Sequence, residues 1–311
     1  MGAGETAGWN RTVFATGQWE ISIADVIDAA HFRGEIAPVA KREERDVDDA
    51  ALQAVSEQFR TERDLITAEE TERWLDARGL TLEDFSDYLR RSFWKNAPGE
   101  NIPAETSGSS DLLRVELLLS GEFDRLAVRL AWRVAAGGEW SGPLGRDEML
   151  QLEAAYRQQC AALLTREACA RMLHALRLPL TRVELETVDL ESEDAAREAF
   201  LCVHEDGIAM SDVAKDGRYP YRRDEVACED LPEESQQKIL CATPGEVLEP
   251  IERGDGFQLC RLVQKIEPDL ADARTRERIE QRILEGHFSE LASTCVRWII
   301  PIAATYDRGP R

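Results

Sequence analysis

Two glutamates at alternate positions, Glu184 and Glu186, are the first residues whose types and spacing suit acid–base chemistry. If they lie on a β-strand, alternation places both carboxylates on the same face. Solvated glutamates on a strand face are far commoner than catalytic pairs. We therefore interpret both as surface residues and predict no catalytic role for them.

Cysteine and histidine are the other residues that could hold a metal or attack a substrate. The seven cysteines are scattered without a CxxC pair, which favours reduced, buried thiols over a disulfide framework or a zinc site. The four histidines lie far apart, and no two have HxxxH spacing. No P-loop, dinucleotide fingerprint or nucleophile elbow accompanies them. The sequence thus predicts no catalytic residues, no metal and no cofactor.

The charge of the chain restricts its partners. Its 311 residues include 60 acidic and 38 basic side chains, a formal net charge of −22. This charge repels phosphate backbones and anionic lipid surfaces, because binding to either depends on concentrated Lys and Arg. No apolar run approaches the roughly 20 residues of a membrane-spanning helix, and the first residues lack the pattern of a secretory signal. We expect no nucleic-acid partner, no membrane partner and a cytoplasmic location.

Helices dominate the N-terminal half. One is predicted at 47–60, where apolar residues recur at helical spacing. The next begins at Thr67, which forms a capping box with Glu70, and ends at Gly79, a residue suited to a helix C-terminus. A third begins at Thr81. The remaining predicted elements are a Pro-, Gly- and Ser-rich linker at 96–110 and helices at 111–119, 122–136 and 147–176, the last broken near Thr165.

The pattern changes near residue 180, where alternating apolar residues first indicate β-strands. The expected fold class is therefore α+β, with a helical module and a small antiparallel sheet. The predicted elements of this half are strands at 182–190, 247–251 and 257–266, helices at 192–206, 211–215, 231–241 and 273–291, an irregular stretch at 216–228, and a strand or extended tail at 296–303.

Several turn residues in this half resemble those of parvulin domains. They lie in order in the segments 231–232 (LP), 243–247 (TPGEV), 249–251 (EPI) and 256–259 (GFQL). The order strand, helix, short helix, helix, strand, strand between 182 and 266 is also similar to the layout of a parvulin domain. This resemblance implies a parvulin-like domain at 180–268.

The helices upstream resemble the module that precedes parvulin in foldases of the SurA and PrsA kind, on the segments 59–60 (FR), 74–75 (WL), 79–80 (GL) and 84–85 (DF). With the segment 199–203 (AFLCV), the chain resembles PpiC-related peptide maturation system proteins, which are associated with ribosomally made peptide natural products. The resemblance implies a helical, SurA-like peptide-binding module at 11–179. It also implies that the C-terminal helix and tail at 269–303 return to that module.

The chain departs from the parvulin pattern at the residues that shape the proline-binding cavity. The first strand lacks the histidine of the family motif and reads VELE at 183–186. The segment 217–221 (GRYPY) replaces a glycine-rich loop, and Gln258 occupies the place of a second histidine. These losses imply that prolyl isomerisation is impaired or absent.

The candidate peptide-binding residues are Arg218, Tyr219, Tyr221, Arg222, Phe257 and Gln258. The two tyrosines replace the usual loop, Gln258 replaces the second histidine and Phe257 precedes it. Arg218 and Arg222 belong to the most basic local patch of the chain, which suits an acidic leader peptide. The resemblance implies a non-catalytic, chaperone-like accessory protein that binds a ribosomally made precursor peptide during its maturation. Its partners would be that peptide and a peptide-modifying enzyme. Two alternatives stay open: an active parvulin-type peptidyl-prolyl isomerase, and a helical scaffold for a modifying enzyme or for a second copy of the chain.

Overall fold

The computed structural model describes residues 9–17, 19–36, 47–96, 110–137, 144–254 and 256–302. The predicted linker therefore lies almost entirely outside the described residues. The elements are β1 (Thr12–Thr16), β2 (Trp19–Ser22), α1 (Ile23–Arg33), α2 (Asp49–Glu62), α3 (Ala68–Ala77), α4 (Leu82–Asn96), α5 (Ser110–Ser120), α6 (Glu122–Gly137), α7 (Arg146–Leu163), α8 (Arg166–Ala175), β3 (Arg182–Leu190), α9 (Glu193–His204), α10 (Met210–Gly217), β4 (Tyr221–Ala227), α11 (Glu233–Cys241), β5 (Val247–Arg253), β6 (Gly256–Ile266), α12 (Ala273–Cys295) and β7 (Arg297–Trp298).

The fold class is α+β, as the sequence predicts. The described helices and strands form two compact units, one at 1–161 with 286–306 and one at 162–285. We call them the helical unit and the sheet unit. The sequence-based boundaries at 179 and 268 concern functional domains and stay predictions. No described helix is both long and apolar enough to cross a bilayer.

The helical unit packs its helices around a small sheet of strand order β2-β1-β7. Phe14 of β1 is completely buried and lies opposite Trp298 of β7, with 5.1 Å between their ring centroids. In the same core, Phe59 of α2 contacts Phe85 of α4, with ring centroids 4.9 Å apart. Residues after 286 therefore supply a strand to a sheet that begins near residue 12.

The predicted helix boundaries around α3 are confirmed. The Thr67 hydroxyl accepts a hydrogen bond from the Glu70 N–H, and the Glu70 carboxylate accepts one from the Thr67 N–H, which completes the capping box. Gly79 has φ of 67°, the left-handed conformation that favours glycine after a helix. The break at Thr165 is also confirmed, because its hydroxyl caps α8.

The sheet unit is built on an antiparallel sheet of strand order β4-β3-β6-β5. On one face, Val188 and Leu190 of β3 pack with Ala196 and Ala199 of α9. On the other, Val183 and Leu185 pack with Ile239 of α11. We call these the α9 face and the α11 face.

One prediction for this unit is wrong. The stretch 216–228, expected to be irregular, contains β4, which pairs with β3 over its whole length. The other predicted elements of the sheet are present in the expected order.

The last helix, α12, begins in the sheet unit and ends in the helical unit. Near its start, Ile279 is completely buried in a cluster with Cys169 and Leu180 of the sheet unit. Near its end, Phe288 is completely buried against Tyr156 and Trp132 of the helical unit. One helix thus contributes to the core of both units.

Candidate functional site

Four of the six candidate residues meet at one end of the sheet unit. In the register of β3, Tyr221 of β4 lies opposite Val188, while Gln258 and Phe257 of β6 lie opposite Asp189 and Leu190. Arg222 is the next residue of β4 and lies opposite Thr187. The antiparallel pairing therefore gathers residues that are about 35 positions apart in the sequence.

The other two candidate residues, Arg218 and Tyr219, lie just before β4, in the turn that connects it to α10. The Tyr219 N–H donates to the Ala214 carbonyl at 2.8 Å, and the Arg218 N–H donates to the Lys215 carbonyl at 3.3 Å. These two bonds form a Schellman motif, with Arg218 at the left-handed position. The Tyr219 ring covers Gly217 and packs on the α9 face. Tyr219 is thereby partly buried against the hydrophobic core, while Arg218 is exposed.

On the α9 face, a carboxylate links Tyr221 to β6. The Tyr221 hydroxyl donates to Glu186 Oε1 at 2.9 Å, and Arg261 forms an ion pair with Glu186 Oε2 at 2.5 Å. Glu186 is buried. Desolvation, together with the hydrogen bond to this carboxylate, raises the pKa of Tyr221 above its usual range. Of the two glutamates considered at the outset, Glu184 pairs instead with Arg223, at 2.7 Å.

On the α11 face, a chain of side chains runs across all four strands. Arg222 of β4 donates to Asp189 Oδ2 at 2.6 Å, and Gln258 of β6 donates to Asp189 Oδ1 at 2.6 Å. Arg253 of β5 donates in turn to Gln258 Oε1 at 3.0 Å. We call this chain, Arg222–Asp189–Gln258–Arg253, the polar stripe. Gln258 is buried, with its amide oxygen and nitrogen both bonded within the stripe.

Gln258, which the polar stripe holds by hydrogen bonds, occupies the position where the parvulin resemblance places a histidine. An amide does not titrate, so Gln258 cannot act as an acid or a base. Its neighbour Cys260 is buried, and desolvation raises the pKa of its thiol to about 12. Neither side chain exchanges a proton near neutral pH. The stripe therefore suits a structural or binding role better than proton transfer.

Asp189 and Arg253 belong to this end of the sheet but were missed by sequence reasoning. Asp189 interrupts the apolar end of β3, and that break in the pattern is a weak signal. Nothing in the sequence marks Arg253, because its contact with Gln258 depends on the register of the β5–β6 hairpin. That the six candidate residues contact a peptide stays a prediction.

The outer side of β4 is the remaining feature of this site. In the described sheet β4 is an edge strand, with β3 on its inner side. The Asp189 N–H donates to the Pro220 carbonyl at 3.1 Å, so residues 220, 222, 224 and 226 form the hydrogen-bonded pairs with β3. Alternation then directs the backbone N–H and C=O groups of Tyr221, Arg223 and Glu225 away from β3, along the outer edge.

The chain matches no protein-family model and no curated protein. The solved structures to which it is similar include foldases of the PrsA kind and SurA-like chaperones. For the foldase PrsA from Streptococcus pneumoniae, the identity is 15%, the alignment covers 86% of this chain and 77% of that chain, and the TM-score is 0.37. For the PrsA foldase from Lactococcus lactis, the identity is 12%, the alignment covers 91% of this chain and 89% of that chain, and the TM-score is 0.34. For one of the SurA-like chaperones of Campylobacter jejuni, the identity is 8%, the alignment covers 94% of this chain and 100% of that chain, and the TM-score is 0.21. At these TM-scores the likeness carries no argument for a shared function.

Proposed function

We propose that this protein is a chaperone-like peptide-binding protein, which holds a ribosomally made precursor peptide during maturation and presents it to a modifying enzyme. The observation that carries the proposal is the outer edge of β4, where three residues direct their backbone groups away from the sheet. An extended peptide can pair with such an edge as an additional strand, because its main chain supplies the matching donors and acceptors.

The side chains of β4 favour an acidic peptide at this edge. Arg222 and Arg223 project from opposite faces, and the side chain of each is 52% exposed. Each guanidinium holds one carboxylate of β3 and has further N–H donors for a second acceptor. Arg218 lies at the start of the strand and is exposed. Three arginines thus border the edge in a chain of net charge −22.

The polar stripe supports binding without isomerisation. Rotation about a prolyl bond needs a desolvated pocket shaped for the twisted peptide, because the barrier is about 20 kcal/mol. Gln258 is instead held between Asp189 and Arg253 by direct hydrogen bonds. Moving it to admit a proline ring would break both bonds and leave a buried amide without partners.

Calorimetry with the precursor peptide encoded nearest the gene tests the proposal. We expect binding by the intact protein and a clear loss in Arg223→Pro, which removes the outward N–H of Arg223 and leaves the β3 pairing intact. The dissociation constant should rise by roughly tenfold, since one hydrogen bond contributes about 1–1.5 kcal/mol.

Arg223→Ala is the matched control, because it removes the side chain and keeps the N–H. It should weaken binding of an acidic peptide by only about threefold, as expected for an exposed ion pair. Equal losses in the two variants, with both folded by circular dichroism, would argue against strand addition. A prolyl-isomerase assay on the same samples addresses the alternative: a rate well above background would show that the polar stripe does not block catalysis.

A further inference from the structure

A second candidate surface lies in the helical unit, on α3 and its turn into α4. Here an open cleft of about 410 Å³ has an apolar floor made by Leu75 and Leu80. This volume is within the range of about 300–1,000 Å³ that is typical of ligand sites. The cleft is separate from every residue of the candidate site described above.

The floor follows from how α3 ends. The Leu80 N–H donates to the Leu75 carbonyl at 3.0 Å, and the Gly79 N–H donates to the Asp76 carbonyl at 3.1 Å. This is a Schellman motif, which brings the residue after the glycine against the last turn of the helix. Leu82, at the start of α4, lines the cleft and is 57% exposed. Leu75 and Leu80 are themselves buried, so Leu82 supplies the exposed apolar surface of the cleft.

The rim of the cleft is acidic. Glu69, Glu72 and Asp76 line it and are exposed; they are spaced along α3 so that they share one helix face. Arg73 also lines the cleft, and its Nε donates to the Glu69 carbonyl at 3.2 Å. Arg11 donates to the backbone carbonyl of Asp76. Three carboxylates of one helix face thus line the cleft beside one lining guanidinium.

We propose that this cleft binds a basic segment of a polypeptide through an apolar side chain flanked by lysine or arginine. The apolar side chain would pack against Leu82, whose exposed surface it would remove from water, above the buried Leu75 and Leu80. The flanking cations would lie beside Glu69, Glu72 and Asp76, where charge complementarity favours them and disfavours an acidic segment. The cleft and the β4 edge therefore select peptides of opposite charge.

Fluorescence anisotropy with a labelled peptide of about ten alternating Lys and Leu residues tests this assignment. The intact protein should bind this peptide. The matched Glu–Leu peptide can bind at the β4 edge but not in the cleft, so its dissociation constant should be the same for the intact protein and for Glu69→Gln/Glu72→Gln. The double variant Glu69→Gln/Glu72→Gln should raise the dissociation constant by about three- to tenfold, since each exposed ion pair contributes modestly. Leu82→Ser, at an exposed position, should weaken binding while the protein stays folded.

Glu57→Gln/Glu148→Gln provides a control with the same change of charge on α2 and α7 of the same unit. It should bind the Lys–Leu peptide as the intact protein does, and so should Arg223→Pro at the β4 edge. A loss of Glu–Leu binding in Glu69→Gln/Glu72→Gln equal to the loss of Lys–Leu binding, or an equal loss of Lys–Leu binding in the control, would overturn the assignment. Tighter binding of the Lys–Leu peptide by a chain shortened after Ile302 would show that the chain's own C-terminal residues occupy the cleft. Loss of a dimer in Glu69→Gln/Glu72→Gln would show that a second copy of the chain occupies it. Either result would also overturn the assignment.

Discussion

Arg218 has φ of 57°, in the left-handed region of backbone space where side chains other than glycine are strained. Its position after α10 is one that glycine usually occupies in a Schellman motif. Strained residues of this kind are found where a side chain has a use. The exposed guanidinium beside the β4 edge is such a side chain, which fits the proposed contact with an acidic peptide.

Arg218→Gly should stabilise the protein, because glycine adopts this conformation without a clash between its side chain and the backbone. We expect the free energy of unfolding to rise by about 0.5–1 kcal/mol in urea titration. The same variant should bind an acidic precursor peptide less tightly if the guanidinium contacts it.

Lys215→Gly, three residues earlier in α10, should change the free energy of unfolding in the opposite direction. Lys215 is exposed and helical, so glycine there should lower the free energy of unfolding by about 0.5–1 kcal/mol. Destabilisation by both substitutions would show that Arg218 is not strained.

Gln258 shows how far sequence can define the site. Its place after Gly256 and Phe257 marked it as a candidate, since a turn motif is local in sequence. Its partners could not be found in the same way. Asp189 lies 69 residues away, and their contact depends on the register between β3 and β6.

At the scale of elements, β4 is a strand that hydrophobic pattern cannot reveal. Its residues YRRDEVA hold four charges in succession, and the strand is exposed over most of its length. Charged side chains are common on edge strands, where they discourage pairing with other chains. The better-marked helices were predicted because capping residues such as Thr67 act within a few positions of the sequence.

The capping box of α3 gives a pH-dependent prediction. The hydrogen bond from the Thr67 N–H lowers the pKa of Glu70 from its ordinary value. A lowered pKa in the folded state stabilises the protein above the unfolded pKa, near 4.3, and the effect is lost as the pH falls through the folded pKa. Glu70→Gln should therefore flatten the dependence of stability on pH below about pH 5, measured by urea titration.

Thr67→Ala removes the other half of the same box and should cost about 1 kcal/mol of stability. Glu69→Gln, which leaves the box intact, serves as the control for Glu70→Gln. A pH dependence that is unchanged in Glu70→Gln would show that this carboxylate does not stabilise the helix.

At the scale of the whole molecule, the helical unit is discontinuous in sequence. Its core includes Ala292, Val296 and Ile300 together with residues from the first third of the chain. Sequence patterns predicted the helices α2 to α7 and α12 that contribute to it, but the closing of the core by the last helix was implied only by the resemblance. A pairing between β1 and β7 has no local signal, because the two strands are nearly 300 residues apart.

Phe288→Ala should destabilise the helical unit by about 3–5 kcal/mol, the usual cost of emptying a fully buried aromatic site. Tryptophan fluorescence is the suitable probe, because the six tryptophans among the described residues all belong to this unit. The urea midpoint of that signal should therefore decrease in the variant.

Ile279→Ala tests the same helix in the sheet unit. Ile279 is equally buried, so the variant should reduce amide protection in β3 and β6, measured by hydrogen exchange.

A Phe288→Ala protein with an unchanged fluorescence midpoint would show that the end of α12 contributes little to the core of the helical unit.

The path of α12 also sets the order in which a nascent chain can complete its two units. The ribosome must synthesise 162–285 before any residue of the closing segment exists. At about 5–20 residues per second, this interval is on the order of ten seconds. During that time β1 lacks its β7 neighbour, and the apolar surface that will receive Phe288 is uncovered. A protein proposed to shield peptides thus depends, during its own translation, on shielding for its N-terminal half.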